Sequence, residues 1–133
     1  ESLGVIIESP GFLTNMTGFR NLEILADMNR RITAAQIRLV LKKVGLDPDL
    51  KKAVAKYSLG MRQRLGIAQA IMEDPDLLIL DEPFNGLDKH GVEEIRKILL
   101  ELKKEGKVFF WQVTMQKISE SSVTGFLRWT EEF

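Results

Sequence analysis

Apolar positions along the chain fall into two kinds of run, short continuous ones and longer ones with a helical period. Leu3, Val5, Ile6 and Ile7 form a short run closed by Glu8-Ser9-Pro10-Gly11, which predicts a buried strand over Leu3–Ile7 and then a loop. Phe19, Leu22, Leu25, Ala26 and Met28 recur at helical spacing behind Thr17, whose hydroxyl suits an N-cap, so a helix is predicted to about Asn29. Thr33 opens a second helix with Ile37, Val40, Leu41 and Val44 on one face, closed by Gly45. Ser58 caps a third bearing Met61, Leu65, Ala68, Ile71 and Met72, and Asp74-Pro75 ends it.

The run Leu77–Leu80 is fully apolar and too short for a helix, which predicts a buried parallel strand. Asp88 caps a fourth helix with Val92, Ile95, Ile98, Leu99 and Leu102, after which Gly106 releases the chain into a strand over Lys107–Trp111. The order β, three helices, β, α, β predicts an α/β fold with a mainly parallel sheet and a helical insertion from about Thr17 to Glu73. From about Gln112 apolar periodicity fades and Ser119, Ser121 and Ser122 cluster, so no element is predicted from Gln112 to Phe133.

Composition narrows the partners. With 133 residues, 44% hydrophobic and 29% charged, the chain has the makeup of one globular domain with a modest core. Its 19 basic and 19 acidic residues cancel, which points to no nucleic-acid partner and no anionic membrane surface. The absence of cysteine excludes disulfides, thiolate nucleophiles and cysteine-ligated metals, and fits a reducing compartment. Leu77–Leu80 and Val108–Trp111 fall far short of the roughly 20 apolar residues a spanning helix needs, so membrane association is expected to run through a partner. Glu1 stands directly before the first strand, with neither an initiator methionine nor a signal-peptide pattern, and the expectation is that the chain begins at a cut edge.

Candidate chemistry gathers in three places. Asp81 and Glu82 follow the strand Leu77–Leu80, at the strand end where open α/β sheets place their ligands. Successive residues leaving a strand point to different sides, so one carboxylate can face a metal while the other faces an attacking water. Two solvated loop acids would read the same, and alone the pair is weak evidence. Upstream lies Tyr57-Ser58-Leu59-Gly60-Met61-Arg62-Gln63-Arg64-Leu65, whose serine cap and helix N-terminus offer N–H groups and the positive end of a dipole to a phosphate. Ordinary capping accounts for Ser58 equally well. Downstream lies Pro83-Phe84-Asn85-Gly86-Leu87-Asp88.

Taken in order, these segments resemble the ATP-binding subunits of ABC transporters over about Gly4 to Phe110. The resemblance implies a partial P-loop NTPase core with an ABC-type helical subdomain. The family's signature is typically Leu-Ser-Gly-Gly-Gln; here Ser58 and Gly60 match, while Leu59 replaces the first glycine and Met61 the glutamine. This variant, followed by Arg62-Gln63-Arg64-Leu65, resembles the peptide-antibiotic and bacitracin-type export subgroup.

By the same resemblance Asp81 is the Walker B aspartate, expected to reach Mg²⁺, and Glu82 the catalytic carboxylate that orients the attacking water. Asn85-Gly86-Leu87-Asp88 matches the D-loop, which crosses between paired subunits. Glu8 stands where the family has its Q-loop glutamine and is a further candidate for ATP and Mg²⁺. The implied ligands are thus ATP and Mg²⁺, held by Ser58, Gly60, Met61, Asp81, Glu8 and Asp88. The implied partners are a membrane permease subunit and a second ATP-binding subunit, placing the chain in the cytoplasm at the inner face of the membrane.

The sequence contains no Gly-x-x-x-x-Gly-Lys-Ser/Thr loop, and His90, its one histidine, reads as an exposed residue in a helix's first turn. The family's switch histidine belongs in a Ser-His pair near Val113 and Thr114. Moving the codon boundaries of Phe110 through Lys117 one base upstream gives a frame that begins Leu-Ala, permits Ser-His-Asn, forces Ala and permits Glu. The resulting expectation divides the chain into a core strand with a Q-loop-like segment (1–16), a helical subdomain with the signature (17–73), a core with Walker B and D-loop (74–111) and an aberrant, frameshifted tail (112–133). It also expects this chain, a fragment of an ATPase by resemblance, to be inactive alone. Two alternatives stay open: a non-enzymatic module that docks a permease or subunit, and an ABC relative of the repair or translation type. The stretch from Ser58 to Asp81 leaves no room for a long coiled coil of many heptads, which favours the transporter type.

Overall fold

Short polar side chains fix where each helix begins. In the computed structural model, which describes residues 3–6, 11–28, 31–75, 77–81, 83–106, 108–116 and 122–128, Thr17 Oγ1 accepts the Arg20 N–H at 3.1 Å and starts α1 (Gly18–Asp27). Thr33 starts α2 (Ala34–Lys43) with a reciprocal capping box: its hydroxyl accepts the Gln36 N–H, and Gln36 Oε1 accepts the Thr33 N–H at 2.7 Å. Ser58 caps α3 (Leu59–Ile71) by accepting the Met61 N–H at 3.1 Å, and Asp88 caps α4 (Lys89–Lys104) by accepting the Gly91 N–H at 2.7 Å. Each cap satisfies a donor that the first helical turn leaves without a partner.

The helix ends follow the same logic. Gly45 takes a φ of 76°, while the Gly45 N–H bonds to Lys42 and the Leu46 N–H to Leu41, closing α2. Gly106 ends α4 in the same left-handed region, at a φ of 90°. Asp74, before Pro75, takes a positive φ of 53°, alone among the described non-glycine residues, and turns the chain from α3 toward the sheet.

The sheet has the order β1-β2-β3-β4, formed by Leu3–Ile6, Leu77–Asp81, Val108–Gln116 and Ser122–Arg128. β1 and β3 flank β2 in parallel, with Leu78 opposite Gly4 and Phe109 and Leu80 opposite Ile6 and Trp111. β3 continues past Trp111, where the predicted strand stops, because β4 pairs with it antiparallel from Phe110–Arg128 to Gln116–Ser122. The expectation that apolar periodicity fades from Gln112 is corrected over residues 112–116, where a two-residue period persists. Val113 and Met115 alternate with Gln112, Thr114 and Gln116, the two-residue repeat of a strand.

One continuous core joins the helices to the sheet. Leu22 of α1, Ile37 and Leu41 of α2, Leu65 of α3, Leu78 and Leu80 of β2, and Ile95, Leu99 and Leu102 of α4 are all fully buried. Each such side chain contributes about 1.5–3 kcal/mol by leaving water. α3 is the central strut, packing against β1, α2 and α4. Its buried Gly66, Ala68 and Ala70 keep the helix slim enough to have neighbours on several sides. At the surface Lys43 at the end of α2 pairs with Glu105 at the end of α4, and Arg38 grips Asp49 through bonds of 2.9 and 3.1 Å. The hydrogen bond and charge of Arg38 hold the Asp49 carboxyl below the usual carboxylate range. Among the described residues no helix is long and apolar enough to cross a membrane.

Candidate functional site

The N-termini of α3 and α4 converge on a groove of about 470 Å³. Ser58, Leu59, Gly60 and Arg64 line one side, and Gly86, Leu87, Asp88, His90, Gly91 and Glu94 the other. Segments well apart in sequence, the signature-like turn and the D-loop-like turn, thus form a single surface. Leu59 packs over the D-loop-like turn: a Cβ added to Gly86 would come within 2.9 Å of Leu59 Cδ2. Gly86 also has a φ of 75°, so both its backbone and the neighbouring leucine require glycine there. Gly60 leaves the first turn of α3 bare, since a Cβ added to it would stand 3.9 Å from Leu87 Cδ2 and from Ser58 Oγ.

The two sides differ in charge. Ser58 caps α3 with a neutral hydroxyl, so the positive end of that helix dipole has no carboxylate from its own cap. Asp88 places a carboxylate on the N-terminus of α4, and Glu94, one turn after His90, adds a second acid 3.7 Å from His90 Nε2. An anion would therefore be favoured beside Ser58 and Gly60 and repelled beside Asp88 and Glu94. Arg62 and Arg64 are committed to structure: Arg62 Nη2 donates to the Ala55 carbonyl at 3.0 Å, and Arg64 donates to the Gly45 carbonyl at 3.1 Å and to that of Gly60 at 3.4 Å.

Of the residues singled out from the sequence, Ser58, Gly60 and Asp88 meet in the groove. Met61, in the same turn as Gly60, packs half-buried against the core. Asp81 is the last residue of β2, opposite Gln112, while its side chain, Glu82 and Glu8 lie outside the described residues. Among the described residues no group of His, Asp and Glu side chains could hold a metal ion. His90 is exposed, as its place in the first turn of a helix predicts.

Two side chains to which the sequence reading gives no role, Asn21 and Tyr57, hold the start of α1. Asn21 is buried in α1, where its carboxamide accepts the Leu13 N–H at 2.7 Å and donates to the Leu13 and Thr17 carbonyls at 3.0 and 2.8 Å. Tyr57 accepts the Gly18 N–H at 3.1 Å. The available signal was Asn21 itself, a weak helix former placed beside the core residue Leu22. Tyr57 carries no comparable local signal, because its partner is 39 residues away.

Residues 1–85 match the ABC transporter family model. The bacitracin transport ATP-binding protein of Enterococcus faecalis is 52% identical over 103 residues, covering 77% of this chain and 33% of that protein. A lantibiotic transport ATP-binding protein of Streptococcus pyogenes is 43% identical over 104 residues, 78% of this chain and 45% of its own length. Among solved structures, cbiO1 of Clostridium perfringens, part of the ABC transporter complex cbiONQ, superposes with a TM-score of 0.67 at 30% identity, over 78% of this chain and 43% of its own. The chain thus spans about a third to a half of the relatives it matches. With its signature-like and D-loop-like turns facing one groove and the family model matched over residues 1–85, the chain belongs to the ABC transporter family, as a relative of its ATP-binding subunits.

Proposed function

We propose that this chain supplies the signature half of a composite ATP site, closing over a nucleotide whose phosphates are cradled by a second ATP-binding subunit. The observation that carries this reading is the unequal groove: a neutral serine cap and a bare Gly60 at the N-terminus of α3, facing the turn Gly86-Leu87-Asp88. Preorganised N–H groups at a helix N-terminus suit a phosphate oxygen. A cap without charge leaves that position open to an anion.

In this reading Asp81 and Glu8 approach Mg²⁺, Glu82 orients the attacking water, Met61 stands next to the nucleotide in the signature turn, and the Asp88 turn lies along the subunit boundary. Mg²⁺ would neutralise phosphate charge when bound. The assembly would act on a membrane permease at the cytoplasmic face. The transport roles in the names of the bacitracin and lantibiotic relatives support export of peptide antibiotics as the task of the whole transporter. The tail 112–133 is proposed to derive from a frameshift, which sequencing the gene tests by whether a neighbouring frame restores Ser-His.

The test is ATP-dependent association with a complete ATP-binding subunit of the same transporter. Ser58→Arg should abolish it, because a bulky cation fills the place where phosphate would approach. Association of equal strength without ATP, or indifferent to the substitution, overturns the half-site reading. The 133-residue chain alone is expected to show no measurable ATP hydrolysis. Loss of a working general base costs about 100- to 10,000-fold, so turnover that disappears in Glu82→Gln would refute that expectation.

A further inference from the structure

We propose that Tyr57 is a positioning residue, whose hydroxyl fixes the Ser58 cap and the first turn of α3 by holding the start of α1. The inference rests on the reading that this turn faces nucleotide, and it concerns a residue the family motif gives as leucine.

Gly18 is the first residue of α1, and its N–H is among those that a helix start leaves without an internal partner. The Thr17 cap serves the Arg20 N–H, so Gly18 needs another acceptor. Tyr57 Oη is that acceptor, in a buried bond of 3.1 Å. A leucine or phenylalanine could fill the same space without accepting the bond, and a buried donor left unmatched is costly. The approach is close enough to demand glycine: a Cβ on residue 18 would stand 2.8 Å from Tyr57 Oη and 3.2 Å from Leu65 Cδ1.

The backbone on both sides of this contact is already stitched. The Val54 N–H donates to Met16 and the Ala55 N–H to Thr14, both at 2.9 Å, and Thr17 and Ala53 form an antiparallel bridge. Asn21 secures the far end by binding Leu13 and Thr17. From α3, Arg62 reaches back to the Ala55 carbonyl. Tyr57 therefore lies between a doubly anchored segment and the serine that caps α3. The two χ angles of its ring are restrained at both ends, by burial and by the hydroxyl bond. Freeing the hydroxyl releases the residue adjacent to Ser58 while the apolar ring stays buried.

Tyr57→Phe removes only the oxygen, and native-state hydrogen exchange of the chain reads the result. The Gly18 amide should exchange about 2- to 10-fold faster, the range expected for one hydrogen bond. The amides of Met61 and Arg62 in the first turn of α3 should speed up with it, while those of Ile98 and Leu102 in α4 keep their rates. Gly18→Ala, which pushes on the same contact from the other side, should give the same pattern. A change confined to Gly18, or a uniform rise through all four helices, would reduce Tyr57 to a local or general stabiliser and overturn the proposal.

ATP-dependent association separates this inference from the reading beneath it. Tyr57→Phe should weaken association several-fold, against its abolition by Ser58→Arg. If the native chain associates and Tyr57→Phe matches it, the positioning role fails and the half-site stands. If the native chain does not associate while Met61 and Arg62 loosen in the variant, the half-site fails and the positioning role stands.

Discussion

The helices α3 and α4 begin within one groove, each under a side-chain oxygen three residues ahead of the N–H it accepts, yet their starts are chemically opposite. Ser58 satisfies a donor and adds no charge. Asp88 satisfies a donor and also compensates the helix dipole with its carboxylate. The rest of each helix follows suit. α3 buries residues on several sides, while α4 buries a single stripe of Ile95, Ile98, Leu99 and Leu102. Two caps of similar geometry can thus differ in charge: one leaves its helix dipole uncompensated by the cap, and the other compensates it within the chain.

The largest disturbance of this pair should come from the residue between them. Gly86→Ala forces a side chain into the left-handed region and against Leu59, and is expected to cost about 1–3 kcal/mol; chemical denaturation would measure it. Leu59→Ala in the same background should recover part of the loss. Full additivity of the two changes would show that the signature-like and D-loop-like turns do not bear on each other.

Removing the charged cap comes next. Asp88→Ala should cost about 0.5–2 kcal/mol, and Asp88→Asn, which retains a cap oxygen, should lose only the charge contribution of about 0.3–1 kcal/mol. An equal loss in both would mean the carboxylate acts solely as a hydrogen-bond acceptor.

Converting one cap into the other is the sharpest comparison. Ser58→Asp should raise stability by about 0.3–1 kcal/mol through the dipole of α3 while suppressing ATP-dependent association. A variant that became more stable and still associated would erase the distinction between the two helix starts.

The smallest effect belongs to an exposed charge pair that does not line the groove, which serves as the baseline. Asp49, bonded by Arg38, has a lowered folded-state pKa, so its contribution is present above the unfolded-state value and is lost as pH falls through the folded one. Because the pair is exposed, Asp49→Asn should shift the acid limb of a melting-temperature profile only slightly. A large shift there would mean that surface charge, rather than helix caps, governs this lobe.

Much of the helical part was legible because its determinants are local. Thr17, Thr33, Ser58 and Asp88 each act within three residues, and Gly45 and Gly106 stop their helices by backbone geometry alone. The strand at Leu77 was legible from its uninterrupted apolar run, though its last residue is Asp81 rather than Leu80. β4 was not, because a strand exists by virtue of its partner, and the pairing of Phe110 with Arg128 leaves no mark on either residue. The groove was legible in its parts only. Resemblance identified Ser58, Gly60 and Asp88 one by one, whereas the packing of Leu59 over Gly86, the turn of Arg64 toward Gly45 and the reach of Tyr57 to Gly18 depend on side chains far apart in sequence.

The contact between Gly18 and Tyr57 also sets an order of events in folding. Its partners are 39 residues apart and enclose α1 and α2, so bringing them together carries a closure entropy of about 2 kcal/mol over a local contact. Those helices can form from nearby residues before that cost is met. The first turn of α3 acquires its fixed aim when the enclosing contact closes, late on such a route. A nascent chain would therefore be helical before the start of α3 is aimed, so that on the proposed half-site reading competence to bind would wait for this contact.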